Sequence, residues 1–303
     1  MEQKIYELGV LPVIKIEDAA NAKPLAKALI DGDLPAAEVT FRTKAAAAAI
    51  KAITEEFPDM LVGAGTVLTV QQVDDAVAAG AKFIISPGLN PNVVEYCTDK
   101  KIPIYPGVNN PSQIEQAIEL GLNVVKFFPA EPSGGLNMLK AMSAPYGNMK
   151  FMPTGGVNAA NIEKYLDFKK ILACGGSWMV PENLLEAKDF EAIKKLTAEA
   201  VQTVLGLRFA HLGINNGRET GGKKCCETLA VVGERIGNEI PGAYFTQNFE
   251  IMKHNGHGSK GHIGYMTNNL TRALAYFKRK GIEAIEDTVQ MKDGQPVFAY
   301  LNM

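Results

Sequence analysis

Residues 1–206 contain no histidine; all four, His211, His254, His257 and His262, come later in the 303-residue chain. A histidine-based nucleophile triad and a histidine-ligated metal are therefore excluded from the first two-thirds. Acid–base chemistry there falls to carboxylate, lysine, tyrosine or cysteine. Cysteine is scarce too, with four in all. Cys97 and Cys174 stand alone in apolar segments, and Cys225 and Cys226 are adjacent. With no Cys-x-x-Cys pair, neither a disulfide framework nor a zinc site of that type is expected. No run of eighteen apolar residues is present, which excludes a membrane-spanning helix of the usual length. Met1 is followed by Glu2-Gln3-Lys4 instead of a basic-then-apolar leader, so a cytoplasmic protein is expected. Charge of one sign is also missing: 31 Lys+Arg against 33 Asp+Glu give a net −2. Neither nucleic acid nor an anionic membrane surface is an expected partner.

What is present is a globular composition, 47% hydrophobic with 29 glycines and 16 prolines. The length points to one large domain and one small one. Short β-rich runs recur at 10–16, 36–41, 61–66, 82–86, 102–106, 123–128, 150–154 and 171–175. Between them lie amphipathic stretches at 18–31, 44–57, 70–79, 111–120, 158–166 and 189–204. Asn110-Pro111-Ser112 and Asn158 carry helix-start signals. Eight strands, each followed by a helix, make residues 1–206 an α/β domain of the (β/α)8 barrel type. The alternative, a doubly wound open sheet, calls for a glycine-rich first turn, and Lys15-Ile16-Glu17-Asp18 is not one.

Residues 207–303 change character. They read as strand 208–214, helix 222–235 and strands near 240–246 and 248–253, then restart with strand 262–267, helix 269–280 and strands 283–290 and 296–301. Asp293-Gly294 marks a turn between the last two. This predicts a small α+β domain of paired βαβββ-like modules. The halves share the phrases His211-Leu212-Gly213 and His262-Ile263-Gly264.

In a (β/α)8 barrel the reacting groups project from the C-terminal ends of the strands. Alternation places Glu38, Thr40 and Arg42 on one face of their strand, facing the barrel interior or its mouth. In 123–128, Val124, Lys126 and Phe128 share a face, so a lone lysine stands among apolar side chains. A buried ammonium must be paired or give up its proton, and a neutral lysine attacks carbonyls to form a Schiff base. The plain alternative is a structural pair with Glu38. Thr154-Gly155-Gly156 and Gly175-Gly176-Ser177 follow the last two strands, where barrels bind phosphate through backbone N–H groups. Arg42 offers a planar fork for a carboxylate. Thr66 offers a hydroxyl donor, or else caps the next helix.

Together these segments resemble the class I aldolase family acting on 2-keto-3-deoxy-6-phosphogluconate (KDPG) and 2-keto-4-hydroxyglutarate (KHG). The matching phrases are Pro12-Val13-Ile14, Glu38 through Thr43, Val62 through Leu68, Ile85 through Leu89, Lys126 through Glu131, Pro153 through Val157 and Gly175 through Trp178. The resemblance implies a (β/α)8 barrel, assembled as a homotrimer, that cleaves a phosphorylated keto acid to pyruvate and an aldehyde without a cofactor. It places the Schiff-base lysine on Lys126 and the general acid–base on Glu38. It places carboxylate binding on Arg42 and Thr66, and phosphate binding on Thr154, Gly155, Gly156, Gly176 and Ser177. Pro87 and Phe128 would line the pocket. An aldolase of the same mechanism for the galactonate epimer fits the same residues. The tail loosely resembles the vicinal-oxygen-chelate superfamily, which makes His211, His262 and Glu250 candidate metal ligands. A non-catalytic metal- or ligand-binding protein is thus the reading from a different class.

Overall fold

The computed structural model describes residues 1–216, 219–259 and 261–302. The chain divides into two units, Met1–Val204 and Leu205–Met303.

The first unit is built on nine strand segments: β1 (Val10–Ile14), β2 (Ala36–Thr40), β3 (Leu61–Gly65), β4 (Ile84–Ile85), β5 (Ile104–Tyr105), β6 (Gly107–Val108), β7 (Val124–Phe127), β8 (Lys150–Pro153) and β9 (Cys174–Gly176). β5 and β6 are halves of one strand parted at Pro106, whose carbonyl still accepts the N–H of Lys126 at 2.9 Å. The count is therefore eight, as the sequence predicts. One ladder runs β5-β4-β3-β2-β1-β9 and another β6-β7-β8, all pairs parallel. Bridges Phe151–Ile171 and Thr154–Gly175 join β8 to β9 and close the ring. Every residue of β2 and β3 is buried, as expected of parallel strands covered by helices outside and filled within.

Helix starts follow the capping rules. Asn110 accepts the N–H of Gln113 at 3.1 Å ahead of Pro111–Glu119, and proline at the first position forgoes an N–H that had no partner anyway. Asn90 repeats the device before Pro91–Asp99, a helix absent from the amphipathic stretches above. Asn158 departs from expectation: its side chain accepts from Ala160 N at 2.9 Å in a turn, and the helix begins only at Ile162.

The second unit holds one five-stranded sheet, ordered β11-β12-β13-β10-β14, from β10 (Arg208–Asn215), β11 (Ile236–Ile240), β12 (Ala243–Thr246), β13 (Phe249–Met252) and β14 (Gly261–Met266). The first repeat is a βαβββ unit, with helix Glu219–Val231 after β10. That helix ends before the expected residue 235, because Gly233 takes a φ of 99° and turns the chain. The second repeat is not a copy. Its β14 pairs antiparallel with β10 in the first repeat's sheet. Its later strands form two separate ladders, Glu283–Ala284 with Leu301–Asn302 and Gln290–Lys292 with Gln295–Phe298. Asp293 and Gly294 both have positive φ, 51° and 73°, as the tight hairpin turn there requires.

Candidate active site

Around the eight-stranded ring β2 is second and β7 sixth, so residues pointing inward from them meet across the barrel axis. Lys126 of β7 and Glu38 of β2 do so, with Nζ 3.3 Å from Oε1. Both are sealed from solvent, at 5% and 1% exposure. Neither charge is tolerable there alone, since an unpaired buried ion costs several kcal/mol or more. The Lys126 ammonium also lies 5.2 Å from the centroid of the Phe128 ring.

The carboxylate has its place because of Gly65. A methyl at that position would lie 2.3 Å from Glu38 Oε1. The glycine at the end of β3 thus makes room for the acid of β2, a role the sequence reading did not assign. Thr40, placed by alternation on the same face as Glu38, has a bonding role that the face pattern does not reveal. Its hydroxyl donates to Ile14 O at 3.0 Å and accepts from Arg42 Nε at 3.2 Å. This fixes the stem of Arg42 at the mouth. Among the described residues no carboxylate forms an ion pair with Arg42. Its fork is open to an anion from outside.

Thr66 sits at φ 55°, a left-handed conformation unusual for a β-branched residue. The cap of the following helix is Thr69, which accepts from Gln72 N at 3.2 Å. Of the two readings of Thr66, helix capping therefore falls away. Pro87 follows β4, and its carbonyl passes over Gly107, where a methyl would be 2.0 Å from the oxygen.

The two glycine turns follow β8 and end β9. Gly155 and Gly156 have φ of 98° and 83°. Their carbonyls are engaged: Gly155 O accepts from Glu131 N at 2.9 Å, and Gly156 O accepts from the Asn158 and Asn161 side chains, each at 3.1 Å. Among the described residues, neither glycine's N–H donates to a backbone carbonyl outside the helices and strands. Two successive N–H groups in left-handed residues make an anion-binding concavity. Thr154, 7% exposed, lies over Gly175, where a methyl would be 2.4 Å from its hydroxyl oxygen. Ser177 is exposed one residue beyond. The turn is braced by the Tyr165 hydroxyl, which donates to Glu131 Oε1. Burial, with the Glu131 bond behind it, pushes that phenol well above its usual range. Arg42, Thr66, Pro87, Phe128, Thr154 to Gly156, Gly176 and Ser177 all stand at C-terminal strand ends or in the loops leaving them. In the second unit, His211, Glu250 and His262 come together.

A closed (β/α)8 barrel with its polar groups gathered at the strand C-termini is an enzyme fold. The family model "KDPG and KHG aldolase" matches residues 1–196. The 2-dehydro-3-deoxy-phosphogluconate aldolase of Treponema pallidum is 49% identical over 202 residues, which is 67% of this chain and 96% of the relative. The KHG/KDPG aldolase of Escherichia coli K12 is 45% identical over 193 residues, 64% of this chain and 91% of that protein. Among solved structures, the KDPG aldolase of Legionella pneumophila superposes with a TM-score of 0.64 at 40% identity, covering 66% of this chain and 98% of that one. That crystal holds pyruvate captured as a covalent carbinolamine. The chain belongs to the KDPG and KHG aldolase family, and it is a carbon–carbon lyase. Among the described residues, no helix is long and apolar enough to cross a membrane.

Proposed function

We propose that the chain cleaves KDPG to pyruvate and glyceraldehyde 3-phosphate, and 4-hydroxy-2-oxoglutarate to pyruvate and glyoxylate, through a Schiff base on Lys126. The observation that carries this reading is the buried contact of 3.3 Å between Lys126 and Glu38 across the barrel. The Lys126 amine adds to the C2 carbonyl of the substrate, and loss of water leaves an iminium. Glu38, directly or through a water, takes the proton of the C4 hydroxyl. The C3–C4 bond breaks, its electron pair moves into the iminium to give an enamine, and the aldehyde leaves. Protonation of the enamine at C3 and hydrolysis then release pyruvate and the free amine. Arg42 and Thr66 hold the substrate carboxylate, and Pro87 and Phe128 wall the reacting end. Thr154, Gly155, Gly156, Gly176 and Ser177 receive the phosphate. The carbinolamine in the Legionella pneumophila relative supports this chemistry.

Borohydride reduction in the presence of pyruvate tests the proposal. A reduced pyruvyl adduct is expected on the peptide containing Lys126; a folded chain with no adduct there would sink the Schiff-base reading. Cleavage rates on KDPG, its galactonate epimer and 4-hydroxy-2-oxoglutarate then rank the substrates, since Lys126 and Glu38 serve all three.

Two substitutions probe the surrounding parts. Arg42→Ala is expected to raise KM for pyruvate-forming substrates by about 10- to 100-fold, the worth of a charge-assisted hydrogen bond of about 1.5–3 kcal/mol. Adduct formation at saturating pyruvate should survive, and an unchanged KM would remove Arg42 from carboxylate binding. Gly65→Ala places a methyl 2.3 Å from Glu38 Oε1 and displaces the carboxylate. A loss in kcat of about 100-fold is expected, with an unaltered circular dichroism spectrum.

The proposal extends to residues 1–206 as the catalytic domain, with residues 207–303 as a separate one. It also includes assembly as a homotrimer, checked by light scattering on the full chain, and work in the cytoplasm on a small-molecule substrate.

A further inference from the structure

The turn after β8 is made of glycine, the residue that loses most conformational freedom when it is ordered. Gly155 and Gly156 hold left-handed φ angles of 98° and 83°, and only a held conformation aims both N–H groups at one anion. Were the turn free, each phosphate that bound would first have to order it, and affinity would fall by that cost. Glu131 and Tyr165 hold it from outside.

Glu131 lies on the neighbouring loop, after β7. Its backbone N–H donates to Gly155 O at 2.9 Å, and one residue earlier Ala130 N donates to Thr154 O at 2.8 Å. Its side chain lies against the second glycine. A methyl on Gly156 would be 2.6 Å from Glu131 Cβ and 2.7 Å from Cγ, so the stem of Glu131 fills the space that a side chain there would need. The carboxylate at the end of that stem accepts from the Tyr165 hydroxyl. Tyr165 belongs to the short helix Ile162–Leu166, the first helix after the turn. Leaving β8, the chain thus passes through the glycines, enters this helix and is tied back to the residue that holds Gly155. Gly135, at the start of helix Gly135–Ser143, leaves room for the tie. A methyl there would be 3.1 Å from Glu131 Oε1 and 3.3 Å from the Tyr165 hydroxyl.

The two partners are unequal. Glu131 is exposed and Tyr165 is buried. Water can serve an exposed carboxylate in any orientation, whereas a buried phenol needs a fixed acceptor. The phenol keeps its proton, because burial and the Glu131 bond both hold it above its usual range. Tyr165 therefore decides where the carboxylate rests. That matters beside an anion site, where a loose carboxylate repels the ligand. The aldol steps on Lys126 make no use of this pair.

Building on the phosphate reading of the Gly155-Gly156 turn, we propose that Tyr165 and Glu131 are positioning residues that hold the turn ready for phosphate. They thereby set the preference of the barrel for phosphorylated keto acids over unphosphorylated ones. Tyr165 acts through Glu131, and Glu131 acts through the glycines. KDPG carries a phosphate and 4-hydroxy-2-oxoglutarate does not, so the two substrates separate this role from a general structural one.

Tyr165→Phe removes only the hydroxyl. In the full chain it is expected to raise KM for KDPG about tenfold, the scale of one hydrogen bond to a charged group, with kcat little changed. Binding of glycerol 3-phosphate, followed by calorimetry, should weaken to the same degree. KM for 4-hydroxy-2-oxoglutarate and trapping of pyruvate on Lys126 should stay within about twofold. Glu131→Ala should have at least the effect of Tyr165→Phe, and adding Tyr165→Phe to it should cost nothing more. Glu131→Gln keeps an acceptor for the phenol and should leave KM for KDPG within about threefold of the unaltered chain. Circular dichroism reports folding, and the variants of the exposed Glu131 decide if Tyr165→Phe does not fold. Equal losses on both substrates, or an unchanged KM for KDPG, overturn the proposal while leaving the phosphate reading intact. If the unaltered chain traps pyruvate on Lys126 but does not bind glycerol 3-phosphate, the phosphate reading of the turn itself fails, and the proposal falls with it.

Discussion

Lys126→Ala is expected to lower kcat/KM for aldol cleavage by at least about 10⁴-fold and to eliminate the borohydride-trapped adduct. The size follows from the role. Removing a covalent nucleophile removes the whole iminium route, because among the described residues Lys126 is the only buried lysine of the first unit. The substitution also strands Glu38, at 1% exposure, without its cation. A buried carboxylate without a partner is costly, so the variant should fold with reduced stability. Lys126→Arg separates the two effects. A guanidinium keeps its proton at all working pH values, so it preserves the ion pair to Glu38 but cannot add to a carbonyl. Equal loss of activity in the alanine and arginine variants, with stability recovered only in the arginine variant, is the expected pattern. Activity restored by arginine would mean that Lys126 acts through its charge alone.

The barrel was legible because its parallel strands are buried along almost their whole length, and such strands show as short β-rich runs bounded by turns. Even the fifth strand, broken at Pro106, was visible as Ile102-Pro103-Ile104-Tyr105-Pro106. Lys126 and Glu38 stood out because a charged residue in such a run has to be explained. What the sequence does not carry is who stands beside whom. That Gly65 exists to admit Glu38 depends on the β2–β3 register of Thr40 with Gly65, which no local pattern encodes. Thr40 likewise looked like one more inward polar residue until its bonds to Ile14 and Arg42 were seen. Asn158 shows the limit of capping signals, because an Asx turn and a helix cap use the same side-chain oxygen.

The second unit was less legible for a different reason. Ile236-Gly237-Asn238-Glu239-Ile240 is an edge strand with every residue exposed, so it lacks the alternation by which strands are recognised. The shared His-x-Gly phrases were visible as a repeat. Their antiparallel pairing, which turns a repeat into a cluster, was not. Nor could the repeat show that the later strands would pair in two separate ladders.

Glu38→Gln should give the second large effect and should split the reaction where Lys126→Ala stops it entirely. The glutamine is nearly isosteric and its amide oxygen can still accept from the Lys126 amine, but it cannot take a proton. The amine of Lys126, and with it the route to the iminium, is left in place. Trapping of the pyruvyl adduct is therefore expected to persist. Cleavage of KDPG should fall by about 10²- to 10⁴-fold, the range for a positioned general acid–base group. Exchange of the pyruvate methyl protons with deuterated solvent isolates the same proton transfer without an aldehyde. It should fall in step with cleavage. If Glu38 served only to hold Lys126 in place, adduct formation, exchange and cleavage would drop together. A variant that traps pyruvate normally yet neither exchanges nor cleaves it assigns the proton transfers to Glu38.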